Sequence, residues 1–319
     1  MEKPDRPPAK LVPFDVSGIF DRRQALAAGF DDSEIQRLIK NGTWRRLRRG
    51  LYVKAEVYEA LDPFDVHRLE IQAALRRVRA RAVASHTSAG VLHRLDMHEP
   101  DLSVVHLTRP DLRGSRFEDR VRHHSAQFDL GSAVLIDGIP TTPIARTVID
   151  IARHSSFAEG VVVADSALRQ GVEHEALLAE LDTCRNWVGA RTAGRVVSFA
   201  DGRAESVGES LARVVFHELG LPAPQLQVEF CGSTGTVLAR VDFYFPDFHT
   251  VVEFDGKIKY QGANPGEVYW QQLKRENLLR ERFGLEVVRM TWTDLYPDRR
   301  AGLNARIRTA FRRGRQRAA

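Results

Sequence analysis

The stretch RVDFYFPDFHTVVEFDGKIKY, residues 240–260, carries four carboxylates, Asp242, Asp247, Glu253 and Asp255, among residues otherwise suited to buried strands. Side chains alternate along a strand, so Val251, Glu253 and Asp255 share one face of 250–255 while Val252 and Phe254 take the other, with the two acids about 6.5–7 Å apart. In 241–245, Val241, Phe243 and Phe245 share a face and leave Asp242 opposite. If the strands pair so that Asp242 meets Glu253, like charges crowd at a sheet centre, a cost that a cation or a shifted pKa relieves. An all-oxygen donor set selects Mg²⁺ or Mn²⁺, expected on Asp242 and Glu253. Such an ion polarises a phosphodiester and generates hydroxide for in-line attack, while a nearby lysine stabilises the developing charge. Lys257 and Lys259 follow the acids, and Lys274 and Arg275 come on the next helical stretch. An exposed acidic strand face is the alternative.

The elements that position these groups can be read around them. Glu205–Leu219 has helical periodicity ended by Gly220, 226–230 and 236–245 read as strands around CGSTG, and 250–255 as a third strand. A helix over 267–283 stopped by Gly284 and a strand over 285–292 complete the order. The segments GESLAR, RVDF, VVEFDG, KRENLLR and EVVRMTWTDL resemble the PD-(D/E)XK nuclease superfamily, and within it the very-short-patch-repair-like endonucleases. The resemblance implies a restriction-endonuclease-like α/β domain with a mixed central sheet. It also implies Glu209 as the helix-borne acid, with Asp242 and Glu253 as the acids of the motif. One position departs from that pattern: Asp255 stands where a lysine is expected. Either Lys257, Lys259 or Lys274 takes the lysine's role, or Asp255 is itself a ligand, or the domain has lost catalysis and only binds DNA.

Near the other end, SGIFDRRQALAAGFDDSEIQRLIKNGTWRRLRRGLYV, 17–53, holds two short helical patterns and a hairpin. Ile19, Phe20, Ala25 and Leu26 predict a first helix ended by Gly29. Asp31 or Asp32 caps a second helix with Ile35, Leu38 and Ile39 inward, stopped by Asn41 and Gly42. A strand, a Gly50 turn and a second strand over 44–53 form a wing. Ser33, Gln36, Arg37 and Lys40 are placed to reach base edges, and Arg45, Arg46, Arg48 and Arg49 to hold phosphates. A helical domain that binds protein is the alternative. The segment resembles the N-terminal winged helix of AbiEi-type antitoxins, and AVASHTSAGVLHRL, DGIPTTPIARTVIDIA and ADSALRQG continue that resemblance over 83–171. It implies operator binding, repression of the protein's own operon, and a nucleotidyltransferase-type toxin as partner.

Between these ends, residues 62–195 alternate helical stretches with short strands, as a small α/β domain does. Ser85 or Thr87 reads as a helix cap beside His86, and His123 and His124 as part of a basic surface, with no further histidine placed to complete a metal site. Asp150 and Asp165 read as exposed or capping acids, Cys184 and Cys231 as core residues in a reducing compartment.

The expected organisation is therefore α/β and multidomain: a disordered leader over 1–13, a winged helix-turn-helix over 14–57, an AbiEi-like domain over 62–195 and an endonuclease-like domain over 203–319. With 319 residues, 47 basic side chains against 42 acidic ones, and no apolar run of membrane-spanning length, a cytoplasmic protein with a nucleic-acid partner is expected. Basic residues cluster, six between Lys40 and Lys54 with no acid among them, and eight arginines after Asp298. Metal-dependent DNA cleavage is the expected activity; the alternative is an AbiEi-like regulator with an inactive nuclease-like domain.

Overall fold

The computed structural model describes residues 18–78, 81–256 and 265–318, with the side chains of 265–272 and 318 outside that description. The expected leader, 1–13, falls outside it. The chain is a mixed α/β protein that separates into two compact units, one running to Leu95 and including Glu99–Asp150, the other comprising Asp96–His98 and the chain from Ile151 onward.

The first unit begins with β1 (Phe20–Asp21), α1 (Arg22–Ala27), α2 (Asp32–Lys40), β2 (Trp44–Arg48), β3 (Leu51–Lys54) and α3 (Ala55–Glu59), the strands ordered β1-β3-β2. Capping decides the helix starts. Asp21 and Gln24 exchange side chain and backbone bonds in a capping box, and Asp31 does the same with Glu34. The first helix therefore starts later than its apolar residues suggested: Ile19 and Phe20 are buried ahead of it, and Phe20 pairs with Tyr52 on β3. Leu26, expected inside, is exposed. The core of this module is aromatic, with Trp44 edge-on to Phe20 at 4.7 Å and to Phe30 at 4.9 Å.

The unit continues through α4 (Pro63–Arg77), β4 (Val83–Ala84), α5 (His86–Leu92), β5 (Val105–Thr108), β6 (Arg116–Glu118), β7 (Val121–His124), β8 (Val134–Ile136) and β9 (Ile139–Thr141). These strands form one mixed sheet in the order β6-β7-β5-β4-β9-β8. Helix α4 carries apolar residues to two clusters, Leu69 and Ala73 against Ile19 and Leu51, Ile71 and Ala74 against Ala84, Val105 and Leu107. The division between the units falls within α6 (Ile144–His154).

The second unit holds α7 (Phe157–Arg169), α8 (His174–Thr183), α9 (Ala190–Phe199), α10 (Val207–Glu218), β10 (Gln225–Cys231), β11 (Val237–Phe245), β12 (Thr250–Asp255), α11 (Pro265–Phe283), β13 (Glu286–Thr291) and α12 (Arg300–Ala318). Its sheet runs β10-β11-β12-β13; the first two pairings are antiparallel and β12 with β13 is parallel, joined by α11 as a parallel crossover requires. One side packs Phe243, Phe245, Val252 and Met290 against Ala212 and Phe216 of α10 and Ile307 and Phe311 of α12. The other packs Val251 against Leu279 of α11, together with Val241. Val241 was expected to accompany Phe243 but packs instead in the second cluster, with Ala239, Val251 and Leu279. Gly208 is required by this packing: a Cβ there would stand 2.1 Å from the Phe254 ring.

Three other expectations are corrected. Asp150 and Asp165 are neither exposed nor caps; each is buried against an arginine, Asp150 with Arg146 at 2.8 Å and Asp165 with Arg213 at 2.5 Å, because a buried carboxylate needs a cation. Helix α12 carries the arginine-rich C-terminal run to Ala318, anchored by Leu303, Ile307, Ala310 and Phe311. Cys184 is buried as expected, whereas Cys231 is exposed.

Candidate functional site

Helix α2 and the β2–β3 hairpin present the basic and polar residues of the first unit. Ile35 is buried while Ser33, Gln36, Arg37 and Lys40 are exposed, so the apolar stripe that docks α2 leaves those four facing solvent. The hairpin turns through Arg49 and Gly50, the latter at φ 79° where glycine carries no Cβ penalty. Arg45, Arg46 and Arg49 are exposed, and the Arg45 guanidinium lies 4.0 Å over the Tyr58 ring. An exposed pair at 2.6 Å, Arg22 with Asp32, links α1 to the start of α2.

Arg48 does not belong to this set. Only 6% exposed, it pairs with Glu70 on α4 at 3.0 Å and bonds the Asp119 carbonyl. The register skips a residue between Arg46 and Arg48, which turns Arg48 inward beside Leu51. Sequence alternation alone gave no sign of this bulge.

In the second unit the acids lie at one end of the sheet. The β11–β12 pairing runs from Phe245 with Thr250 to Phe243 with Val252, and Asp242 follows next on β11, close enough to Glu253 for their charges to interact. Asp242 Oδ2 accepts the Phe254 backbone N–H at 2.8 Å. Glu253, on the face of Val251, meets Arg275 of α11 at 2.8 Å. Burial pushes the Glu253 carboxyl up, with Arg275 opposing and Asp242 adding to the rise. The like-charge crowding at the sheet is thus relieved by an arginine and by a shifted pKa.

Glu209 is held differently. Its carboxylate accepts the Glu205 N–H at 2.9 Å, the Ser206 hydroxyl at 3.0 Å and the Gln227 amide at 2.9 Å, while Ser206 caps α10 in return. Burial raises its pKa and these bonds oppose the rise. Gln227, which the sequence did not single out, sits between residues paired with Phe243 and Val241, hence across from Asp242. Only the register of β10 on β11 could have found it.

A cavity of about 730 Å³ joins Glu205, Glu209, Asp242, Arg275 and Trp292. Asp255 ends β12 opposite Thr291, and Asp247 is exposed in the turn between β11 and β12. Lys274 is exposed, and its neighbour Arg275 reaches Glu253. Lys257 and Lys259 lie outside the described residues. Among the described residues, Glu209, Asp242 and Glu253 do not bring ligand atoms within 4.8 Å of one another as a set. Glu253, one of the two expected ligands, is occupied by Arg275, and the cleft that Asp242 lines is shared with Glu205 and Glu209.

No helix of the described residues is long and apolar enough to cross a membrane. Residues 14–53, the helix-turn-helix and its hairpin, match the family model described as a transcriptional regulator, AbiEi antitoxin. Two Mycobacterium tuberculosis proteins, Uncharacterized protein MT2308 of strain CDC 1551 / Oshkosh and Uncharacterized protein Rv2248 of strain H37Rv, are each 30% identical over 239 residues, covering 72% of this chain and 79% of the relative. The chain belongs to the family of these mycobacterial proteins, and its N-terminal module matches the AbiEi antitoxin regulator model.

Proposed function

We propose that the protein is a DNA-binding regulator of the AbiEi antitoxin kind, which reads an operator with α2 and holds its backbone with the β2–β3 hairpin. The observation that carries this reading is the coincidence of the regulator match at 14–53 with a module whose polar and basic residues, Ser33, Gln36, Arg37, Lys40, Arg46 and Arg49, all face solvent. Regulators of this kind act beside a toxin, and a nucleotidyltransferase-type toxin is the partner proposed here. The site of action would be the cytoplasm, where operator DNA is found.

The test is binding of the full chain to DNA from its own promoter as salt is varied. Each phosphate neutralised contributes about 0.9 to the slope of log affinity against log salt. Replacing Arg46 and Arg49 with Ala is expected to lower that slope by about 2 and weaken binding to every sequence alike. An unchanged slope would remove the hairpin from the interface.

A second reading rests on the acids. The order α10, β10, β11, β12, α11, β13 and the nearness of Asp242 to Glu253 support an endonuclease-like fold for the second unit. In that reading Asp242 and Glu253 would hold Mg²⁺ or Mn²⁺, which would polarise a phosphodiester. Glu209 would stay a positioning group for α10 and Gln227, and Arg275 would move from Glu253 to a phosphate. The Arg275 pair, and Asp255 in place of a lysine, favour the regulator reading, in which this cleft is catalytically retired. Supercoiled DNA is therefore expected to survive incubation with the protein and Mg²⁺ or Mn²⁺. Nicking that disappears with Asp242→Asn would restore the nuclease.

A further inference from the structure

Three strands of the first unit that neighbour one another in the sheet each bring a histidine to one place. Val83–Ala84 of β4 lead directly into His86, β5 carries His106, and β7 carries His124. Strand β5 is antiparallel to β4, with Ala84 across from Leu107, and parallel to β7, with Thr108 beside His124. Residues 38 positions apart in sequence thereby meet: His106 Nδ1 is 3.0 Å from His124 Nε2, and the His86 and His124 rings are 3.6 Å apart between centroids. One ring nitrogen from each of the three lies within 4.8 Å of the other two. His86 and His124 are buried and His106 is half-buried. This trio overturns the expectation that no further histidine could join His124.

We infer that His86, His106 and His124 form a binding site for a divalent transition-metal ion of the Zn²⁺ class. Imidazole nitrogens suit Zn²⁺, Co²⁺, Ni²⁺ and Cu²⁺ and discriminate against Mg²⁺ and Ca²⁺, so this site is chemically distinct from the carboxylate pair of the second unit. Zinc bonds imidazole nitrogen at about 2.0–2.1 Å, and three histidines with an open fourth position are an established tetrahedral arrangement.

Surrounding groups hold the rings from behind. Ser85 Oγ is 3.0 Å from His86 Nδ1, which leaves Nε2 as the donor nitrogen of that ring. Ser85 occupies the N-cap position of α5 without capping it, contrary to expectation; its hydroxyl is engaged by the imidazole instead. Ser88 Oγ accepts the His106 backbone N–H at 2.9 Å and is in turn bonded to His67, whose other nitrogen meets the Leu102 carbonyl. His86 also adopts φ 50°, a region costly for a residue with a Cβ, and strain of that kind persists where surrounding structure imposes it at functional positions. Apolar side chains would fill the same space without the cost of burying two imidazoles and half-burying a third.

The experiment uses the full chain freed of any affinity tag, stripped with a chelator and titrated with Zn²⁺ by calorimetry and with Co²⁺ by visible absorption. The expected result is one equivalent bound per chain, with the absorption bands of tetrahedral Co²⁺ and a Zn²⁺-dependent rise in melting temperature that EDTA reverses. His106→Asn and His124→Asn should each weaken binding by about 100-fold or more while preserving the circular dichroism spectrum measured in EDTA, whereas loss of a mere orienting partner costs about 10–100-fold. Absence of stoichiometric binding to the parent chain would overturn the site, as would undiminished binding in both variants. Should either variant misfold, the Co²⁺ spectrum of the parent decides: tetrahedral bands uphold the assignment and their absence refutes it.

Discussion

Asp165→Ala is expected to destabilise the second unit by about 3–5 kcal/mol, since removing one partner of a buried ion pair strands the other charge away from water. Asp165 has no exposed surface. One carboxylate oxygen meets Arg213 at 2.5 Å and the other accepts the Asp201 N–H at 2.7 Å. Arg213 in turn donates to the Phe199 carbonyl at 2.6 Å and lies 4.7 Å over the Phe199 ring. The pair therefore ties α7 and the end of α9 to α10, the helix that carries Glu209. At a urea slope of about 2–3 kcal/mol/M, the transition of this unit should move down by more than about 1 M. Arg213→Ala should do the same. Replacing both with apolar residues of similar volume should recover most of the loss, because the desolvation of two charges then disappears with their attraction. A single substitution that leaves the midpoint unmoved would show that the pair contributes nothing to the packing of α7 on α10.

The second large effect concerns DNA. Gln36→Ala combined with Arg37→Ala is expected to lower affinity for the promoter by on the order of 100-fold or more, with little change on unrelated sequence. Arginine bonds guanine and glutamine bonds adenine through two hydrogen bonds each, and each such contact discriminates by about 1–3 kcal/mol. Arg37 is placed to make one: its side chain is 71% exposed and its ion-pair distance to Glu34, 4.0 Å, is long. This separates α2 from the hairpin, where Arg46 and Arg49 should weaken all sequences equally. Loss of affinity that is the same on promoter and unrelated DNA would make α2 another backbone contact.

Much of this architecture was legible because it is local. The caps Asp31 and Asn41, the Gly50 turn, the CGSTG turn and the stops at Gly220 and Gly284 each act within a few residues, and all fall where the sequence placed them. Alternation along β12 likewise put Glu253 on the face of Val251, where it meets Arg275. What was hidden depends on partners distant in sequence. Arg48 looked like its basic neighbours until a bulge turned it toward Glu70. Asp165 looked like an exposed helix acid because its arginine is 48 residues away. His86, His106 and His124 could not be grouped before the order β7-β5-β4 was known, since three isolated histidines in a chain carry no spacing signal. Arg275 was noted beside Lys274, but only the approach of α11 to the sheet shows which of the two reaches the acids.

These contrasts bear on the second unit. A cation already sits on Glu253, hydrogen bonds already satisfy Glu209, and Asp255 brings a further negative charge to the end of β12. A cleft arranged in this way can stabilise its own sheet without a metal. The first unit, by contrast, leaves Ser33, Gln36, Lys40, Arg46 and Arg49 exposed on the surface of α2 and the hairpin.

The most direct measurement is hydrogen exchange of the full chain with and without promoter DNA, read peptide by peptide. Protection on DNA binding is expected over residues 33–50, the α2 and β2–β3 segments, and little change across β11 and β12. Protection confined to the second unit, with 33–50 exchanging as fast as in the free protein, would contradict the assignment of DNA recognition to the winged module.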